Sequence, residues 1–355
     1  MPSPSESPVP PPQQQQQQQQ LLPSSCLNGV PLEVELSKNR KLSEADVNSV
    51  KSWSERRYDL PSLGESDAAL FLHARNYDCE RAKLLLENFF GMRRRLGCFF
   101  GQRDPDSSQL RTFFNTLAVY PLEKKSHRGR TVVLARLLDT DPHRYDFLIA
   151  TKYLSMVLDA LIHENGCDPG GYVFLFDLSN VTQLHRNELT VSRLRNFFAY
   201  FRDCCPARWH GLHYLDLKPG DDNLCRRSKR QFAEELSIET HFHELFHLHP
   251  TIESIARIIP LDALPAELQG TSARSLAESH RRQVQKLVGY RDWFLHMDQT
   301  FFFYPYRGHE LYVEPMDTDN PEYYQKLEQA KLIALQGPLD SDDVASQSRA
   351  NGPGE

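Results

Sequence analysis

No uninterrupted apolar run in the 355 residues approaches the ~18–20 needed to cross a bilayer, so a soluble chain is expected. The first 25 residues offer neither the basic start nor the apolar centre of a secretory leader; they are Ser, Pro and Gln. Cysteine is scattered. Apart from the adjacent Cys204 and Cys205, the seven form neither a disulfide framework nor a zinc ladder. An odd count without a leader fits a reduced, cytoplasmic chain. Positive charge is not in excess either. A formal net charge of -6 gives no global affinity for nucleic acid or membranes, so any basic function must be local. No internal repeat and no cofactor-binding motif stands out, and no cofactor is expected.

What is present begins with low complexity. Residues 1–40 open on "PSPSESPVPPP" and eight consecutive glutamines, and residues 337–355 are similarly polar. Segments with so little apolar surface do not offset their ordering entropy, so both are expected to be disordered tails, open to protein partners. Between them, residues 43–96 read as helices. Ser43 is placed to cap a helix with Val47, Val50 and Trp53 on one face. Asp78 is placed to cap another, where Ala82, Leu85, Leu86, Phe89 and Phe90 recur at helical spacing. Residues 110–272 then alternate. "RTVVLARLL" reads as a strand, Tyr145–Glu164 as a long helix, "GYVFLFDL" as a buried strand, "SRLRNFFAYFRD" as a helix and "GLHYLDL" as a further strand. This order implies an α/β fold with a mostly parallel sheet covered by helices. Residues 273–336 read as a helical or irregular extension.

The stretch "HFHELFHLHP" contains His243-Glu244-Leu245-Phe246-His247, a literal H-E-x-x-H. A zinc peptidase needs both histidines one turn apart on a continuous helix, with the glutamate beside a metal-bound water. Here Phe246 to His249 alternate apolar and polar at strand period, and Pro250 stops the run. Neither Glu253 nor Glu267 falls in a recognisable third-ligand pattern. No metal site and no catalytic residue is assigned. Asp177, ending "GYVFLFDL", lacks a partnered His-Ser or second carboxylate and is expected to serve a turn or cap.

Taken in order, "FLHARNYDCERAKLLLENFF", "GRTVVLARLLDTDP", "GYVFLFDLSNVTQLH", "RWHGLHYLDLKP" and "IIPLDALPAEL" resemble successive landmarks of the CRAL-TRIO lipid-binding family. The nearer branch is that of the tocopherol transfer and cellular retinaldehyde-binding proteins, and the resemblance runs from about Ser43 to Thr300. It implies helices preceding a domain with an apolar ligand cavity, a mobile lid and no enzymatic activity. It also places Phe246–His249 on a strand, so that "HELFH" straddles an element boundary.

By that resemblance the cavity would be lined by Thr151, Leu154 and Leu158 of the long helix, Tyr172, Phe174 and Phe176 of the core strand, and Leu212 and Tyr214 of its neighbour. A lid would carry Phe232 and Leu236. Phosphoinositide contacts would fall on Arg75 and Arg208, and non-specific membrane attraction on Arg226, Arg227, Lys229 and Arg230, with "MRRR" (92–95) a further basic run. The implied function is binding and intermembrane transfer of a phosphoinositide, retinoid or tocopherol-like ligand, with reversible docking on anionic membranes. A phosphoinositide- or protein-binding scaffold without transfer is the alternative. Departures from the family pattern are Asp216-Leu217-Lys218-Pro219, Leu264 to Gly270, and the polar stretch between Pro219 and Phe246.

Overall fold

The computed structural model describes residues 26–57, 59–218 and 245–303. It opens with helices α1 (Leu32–Lys38), α2 (Glu44–Glu55), α3 (Glu65–Ala74), α4 (Cys79–Arg95), the single turn α5 (Gly97–Phe100) and α6 (Ser108–Phe113). The caps read from sequence are in place. Ser43 Oγ accepts the Asp46 N–H at 3.1 Å, and Asp78 Oδ1 accepts that of Arg81 at 3.0 Å. The α4 stripe of Ala82, Leu85, Leu86, Phe89 and Phe90 is wholly buried, as its spacing predicts.

Five strands follow in spatial order β1 (Leu117–Pro121), β2 (Thr131–Leu137), β3 (Tyr172–Asp177), β4 (Trp209–Leu215) and β5 (Phe246–His249). β1 pairs antiparallel with β2, and every other pairing is parallel. Helix α7 (Phe147–Asn165) links β2 to β3; α8 (Gln183–Asn187) and α9 (Val191–Ala199) precede β4, with a π-helical turn at Tyr200–Cys204. Strand alternation splits the sheet into two faces. Val133, Tyr172, Phe174, Leu212 and Tyr214 meet the core shared with α4, α7 and α9. Val132, Leu134, Val173, Leu175 and Leu215 meet a smaller core with Ile255, Ile259, Leu264 and Leu268, so the "IIPLDALPAEL" segment and α10 (Ile252–Ala256) cover the back. Helices α11 (Leu276–Gly289) and α12 (Arg291–Phe303) complete the described chain. Phe294, Met297 and Phe301 of α12 join the same core as α4 and α7.

The structure corrects several expectations. The disordered stretch expected through residue 40 gives way earlier, because α1 is folded and its Glu35 is fully buried. That carboxylate accepts Asn28 Nδ2 and the Cys167 backbone N–H, both at 3.0 Å, so the acidic residue is a tie between segments rather than a mark of solvation. Gly166 ends α7 at φ +60°, where a Cβ would collide with the Glu35 carboxylate. β1 was not read as a strand. The run "MRRR" is only partly a basic surface: Arg95 is exposed, but its two arginine neighbours are engaged inside the protein. Arg93 is fully buried on a bidentate ion pair with Asp159 of α7, and Arg94 donates to Asp59 O.

Candidate ligand-binding site

The parallel strands end together at Leu137, Asp177 and Leu215, and a cavity of about 150 Å³ opens there. The carboxyl ends of such strands are where α/β sheets bind ligands, since the helices that follow leave a crevice. Leu117, Val119, Ala135 and Leu137 form one wall; Tyr145, Phe147, Ala150, Thr151 and Leu154 of α7 and its approach form the floor. Phe176, Leu178 and Tyr214 form the opposite wall, and Val181, Leu189, Leu194, Phe197 and Phe198 close over it. The surfaces are overwhelmingly apolar.

Most polar groups bordering the cavity are already satisfied. Asp177 is buried against Arg136, which also donates to Glu267 O at 3.2 Å. Its Oδ1 accepts both the Ser179 N–H (2.9 Å) and hydroxyl (2.6 Å), the Asx turn expected of that residue. Thr151 Oγ1 donates to Phe147 O at 2.9 Å within its own helix. His185 is buried, and desolvation holds its pKa below the usual histidine value, so the ring is neutral at pH 7.

Of the sequence-derived cavity residues, Thr151, Leu154, Phe176 and Tyr214 border the cavity. Phe176 and Tyr214 stack at 5.1 Å across the β3–β4 register. Leu158, Tyr172, Phe174 and Leu212 do not border it; they are buried in the core on the same faces. Phe174 lies flat on Trp209 at 4.5 Å and edge-on to Phe201 at 5.2 Å, leaving no space beside it. Period identifies the face of a strand, not the depth along it at which packing stops. The closing residues Leu189, Leu194, Phe197 and Phe198 were missed as site residues, although the apolar stripe of α9 was legible.

Arg75 and Arg208 are brought together at the carboxyl end of α3. Arg75 Nη2 donates to Arg202 O at 3.1 Å, and Arg208 Nε donates to His73 O at 2.8 Å while its guanidinium lies 5.4 Å from the Tyr77 ring centre. Both guanidiniums therefore serve a helix terminus, where cations complement the backbone dipole. Phe232, Leu236, Arg226, Arg227, Lys229 and Arg230 lie outside the described residues.

Of the H-E-x-x-H pattern, His243 and Glu244 also lie outside, while His247 sits on β5. On the back of the sheet His247 stacks on His213 at 4.7 Å, and His213 Nδ1 lies 3.0 Å from His249 Nε2. Among the described residues no group of three or more His, Cys, Asp or Glu side chains could hold a metal ion. No helix among them is long and apolar enough to cross a membrane.

The family model for the CRAL/TRIO domain matches residues 115–218, a stretch that contains every residue bordering the cavity. Residues 115–218 are therefore similar to that domain, the one whose landmarks the sequence resembles. Clavesin-1 of Xenopus laevis is 26% identical over 242 residues, covering 67% of this chain and 71% of its own. Clavesin-2 of Rattus norvegicus is 28% identical over 257 residues, covering 69% and 76%. The crystal structure of Sfh5 overlays with a TM-score of 0.45 at 8% identity, covering 69% of this chain and 91% of that one. This domain match and the likeness to the clavesins support a non-enzymatic, lipid-binding role for residues 115–218.

Proposed function

We propose that the chain is a carrier that encloses a hydrophobic ligand of the phosphoinositide, retinoid or tocopherol-like class and transfers it between membranes. The carrying observation is the apolar cavity at the strand carboxyl ends, whose ion pair and threonine hydroxyl are already satisfied internally. Such a site retains an apolar body and offers few competing polar contacts. Thr151, Leu154, Phe176 and Tyr214 are its walls. Leu158, Tyr172, Phe174 and Leu212 are the packing that holds those walls. The functional unit is residues 110–272, flanked by the helical unit of 43–96.

Phe176→Asp tests the cavity. A carboxylate without a partner beside an apolar ligand weakens retention by about 2 kcal/mol or more, roughly thirtyfold. The check is ligand retention of the folded variant through gel filtration; unchanged occupancy sinks the assignment.

Membrane contact would be peripheral and reversible from the cytoplasm. Arg75 and Arg208 supply head-group contacts; Arg226, Arg227, Lys229 and Arg230 supply attraction of about 1 kcal/mol each near an anionic surface. Binding to phosphoinositide vesicles is expected to fall steeply with salt, because the Debye length is only about 8 Å at physiological ionic strength. Arg208→Lys weakens it further, since an ammonium cannot grip a phosphate bidentately. Co-sedimentation at low and high salt checks this. A doubly substituted Arg75→Ala, Arg208→Ala protein that sediments like the parent rules the contact out.

A further inference from the structure

We propose that His185 is the polar contact of the cavity's ligand, its Nε2–H donating a hydrogen bond to a neutral acceptor oxygen on an otherwise apolar molecule. The inference rests on the carrier reading above and narrows its ligand class to carbonyl, ester or ether compounds at that end of the cavity.

Three observations converge. His185 borders the cavity yet is only 2% exposed. Its Nε2 is buried and has no hydrogen-bond partner among the described residues. A backbone N–H can only donate, and that of Thr182 points at His185 Nδ1 from 3.2 Å, with the Thr182 hydroxyl 2.8 Å from the same atom. Nδ1 is therefore the acceptor, and the neutral ring's proton is assigned to Nε2. The ring is held in this orientation by the capping box that starts α8 and by an edge contact with Tyr145 at 5.7 Å.

A buried N–H donor left unpaired is costly, and an acceptor oxygen placed against it removes that cost. The cations at this end of the cavity are already engaged: Arg136 is bound to Asp177 and to Glu267 O, and Lys218 Nζ donates to Val181 O at 2.7 Å. A ligand carboxylate would find no free counter-charge among the described bordering residues, so the complement is a neutral oxygen.

The experiment compares 2-decanone with decane, an acceptor-only ketone against its hydrocarbon, on the full chain stripped of bound lipid. The ratio of ketone to alkane affinity is expected to fall about fivefold to tenfold in His185→Leu. His185→Gln, which returns a side-chain N–H, is expected to recover part of the ratio. If both probes bind and the ratio is the same in parent and His185→Leu, His185 does not contact the ligand, and the carrier reading survives. If neither probe binds the parent, both readings fail together. Should the variants not fold, the parent labelled with nitrogen-15 in histidine decides. The His185 Nε2–H resonance is expected to move with 2-decanone and not with decane, and a resonance indifferent to the ketone overturns the proposal.

Discussion

Asp159→Ala is expected to destabilise the fold by about 3–5 kcal/mol, the range for removing one partner from a buried ion pair. Asp159 is 3% exposed and meets two fully buried guanidiniums. Arg93 reaches it through both Nη atoms at 2.6 Å, and Arg103 Nη1 reaches it at 2.5 Å. Arg103 Nε is in turn bound to Asp298 at 2.6 Å, so Asp159 and Asp298 together hold the two guanidiniums. Phe89 and Phe301 face the Arg93 guanidinium at 4.4 and 4.8 Å, and Tyr200 Oη takes a further hydrogen bond from it. Alanine takes from two fully buried guanidiniums the carboxylate that they share. Because Arg93 lies on α4, Asp159 on α7 and Asp298 on α12, the loss acts on the joint between all three. Breaking the exposed Arg111–Asp106 pair, by contrast, is expected to cost under about 1 kcal/mol. Urea unfolding of both variants checks this. Equal midpoints for Asp159→Ala and Asp106→Ala contradict it.

Acid is expected to unfold the protein well above the pH at which its carboxylates titrate. Burial pushes His73 and His213 down to about 3 and His249 to about 4. Arg208 adds repulsion at His73, His247 and Arg130 add it at His213, and His247 adds it at His249. In the unfolded chain each takes up a proton near pH 6.5. Between those values the unfolded state binds more protons than the folded one, so stability falls as pH falls and is fully present only above about 6.5. Each group contributes up to about 1.4 kcal/mol per pH unit, and the three together on the order of 5 kcal/mol by pH 5. Urea midpoints at pH 7 and pH 5, with His213→Phe as the control that flattens the dependence, measure it. A midpoint indifferent to pH removes the claim that these histidines are held neutral.

Neighbouring residues that share a face were readable along the chain; residues that meet from far apart were not. The stripe on α4, the caps at Ser43 and Asp78 and the alternation of Val173 and Leu175 against Phe174 all follow from local spacing. So does β5, which dissolves the peptidase-like pattern at His247. Arg93 and Asp159 stand 66 positions apart; helical spacing continues the Phe89–Phe90 stripe to Arg93, but nothing local names its partner. Glu35 looked like part of a polar tail because its partners, Asn28 and Cys167, are recognisable only once the chain has folded. Of the residues that resemblance and alternation named for the cavity, Thr151, Leu154, Phe176 and Tyr214 border it. Phe174, one strand period earlier on β3, packs instead on Trp209 and Phe201. His185 was invisible as a ligand contact because its significance lies in an unused nitrogen.

The carrier account is tested most directly by native mass spectrometry of the purified full chain, followed by extraction and identification of whatever leaves it. The account predicts one hydrophobic molecule per chain, bearing a neutral acceptor oxygen, bound to the parent and absent from folded Phe176→Asp. A parent protein that flies at its polypeptide mass, with no stoichiometric lipid even after exposure to membrane extracts, contradicts it and leaves the fold as a binding module without cargo.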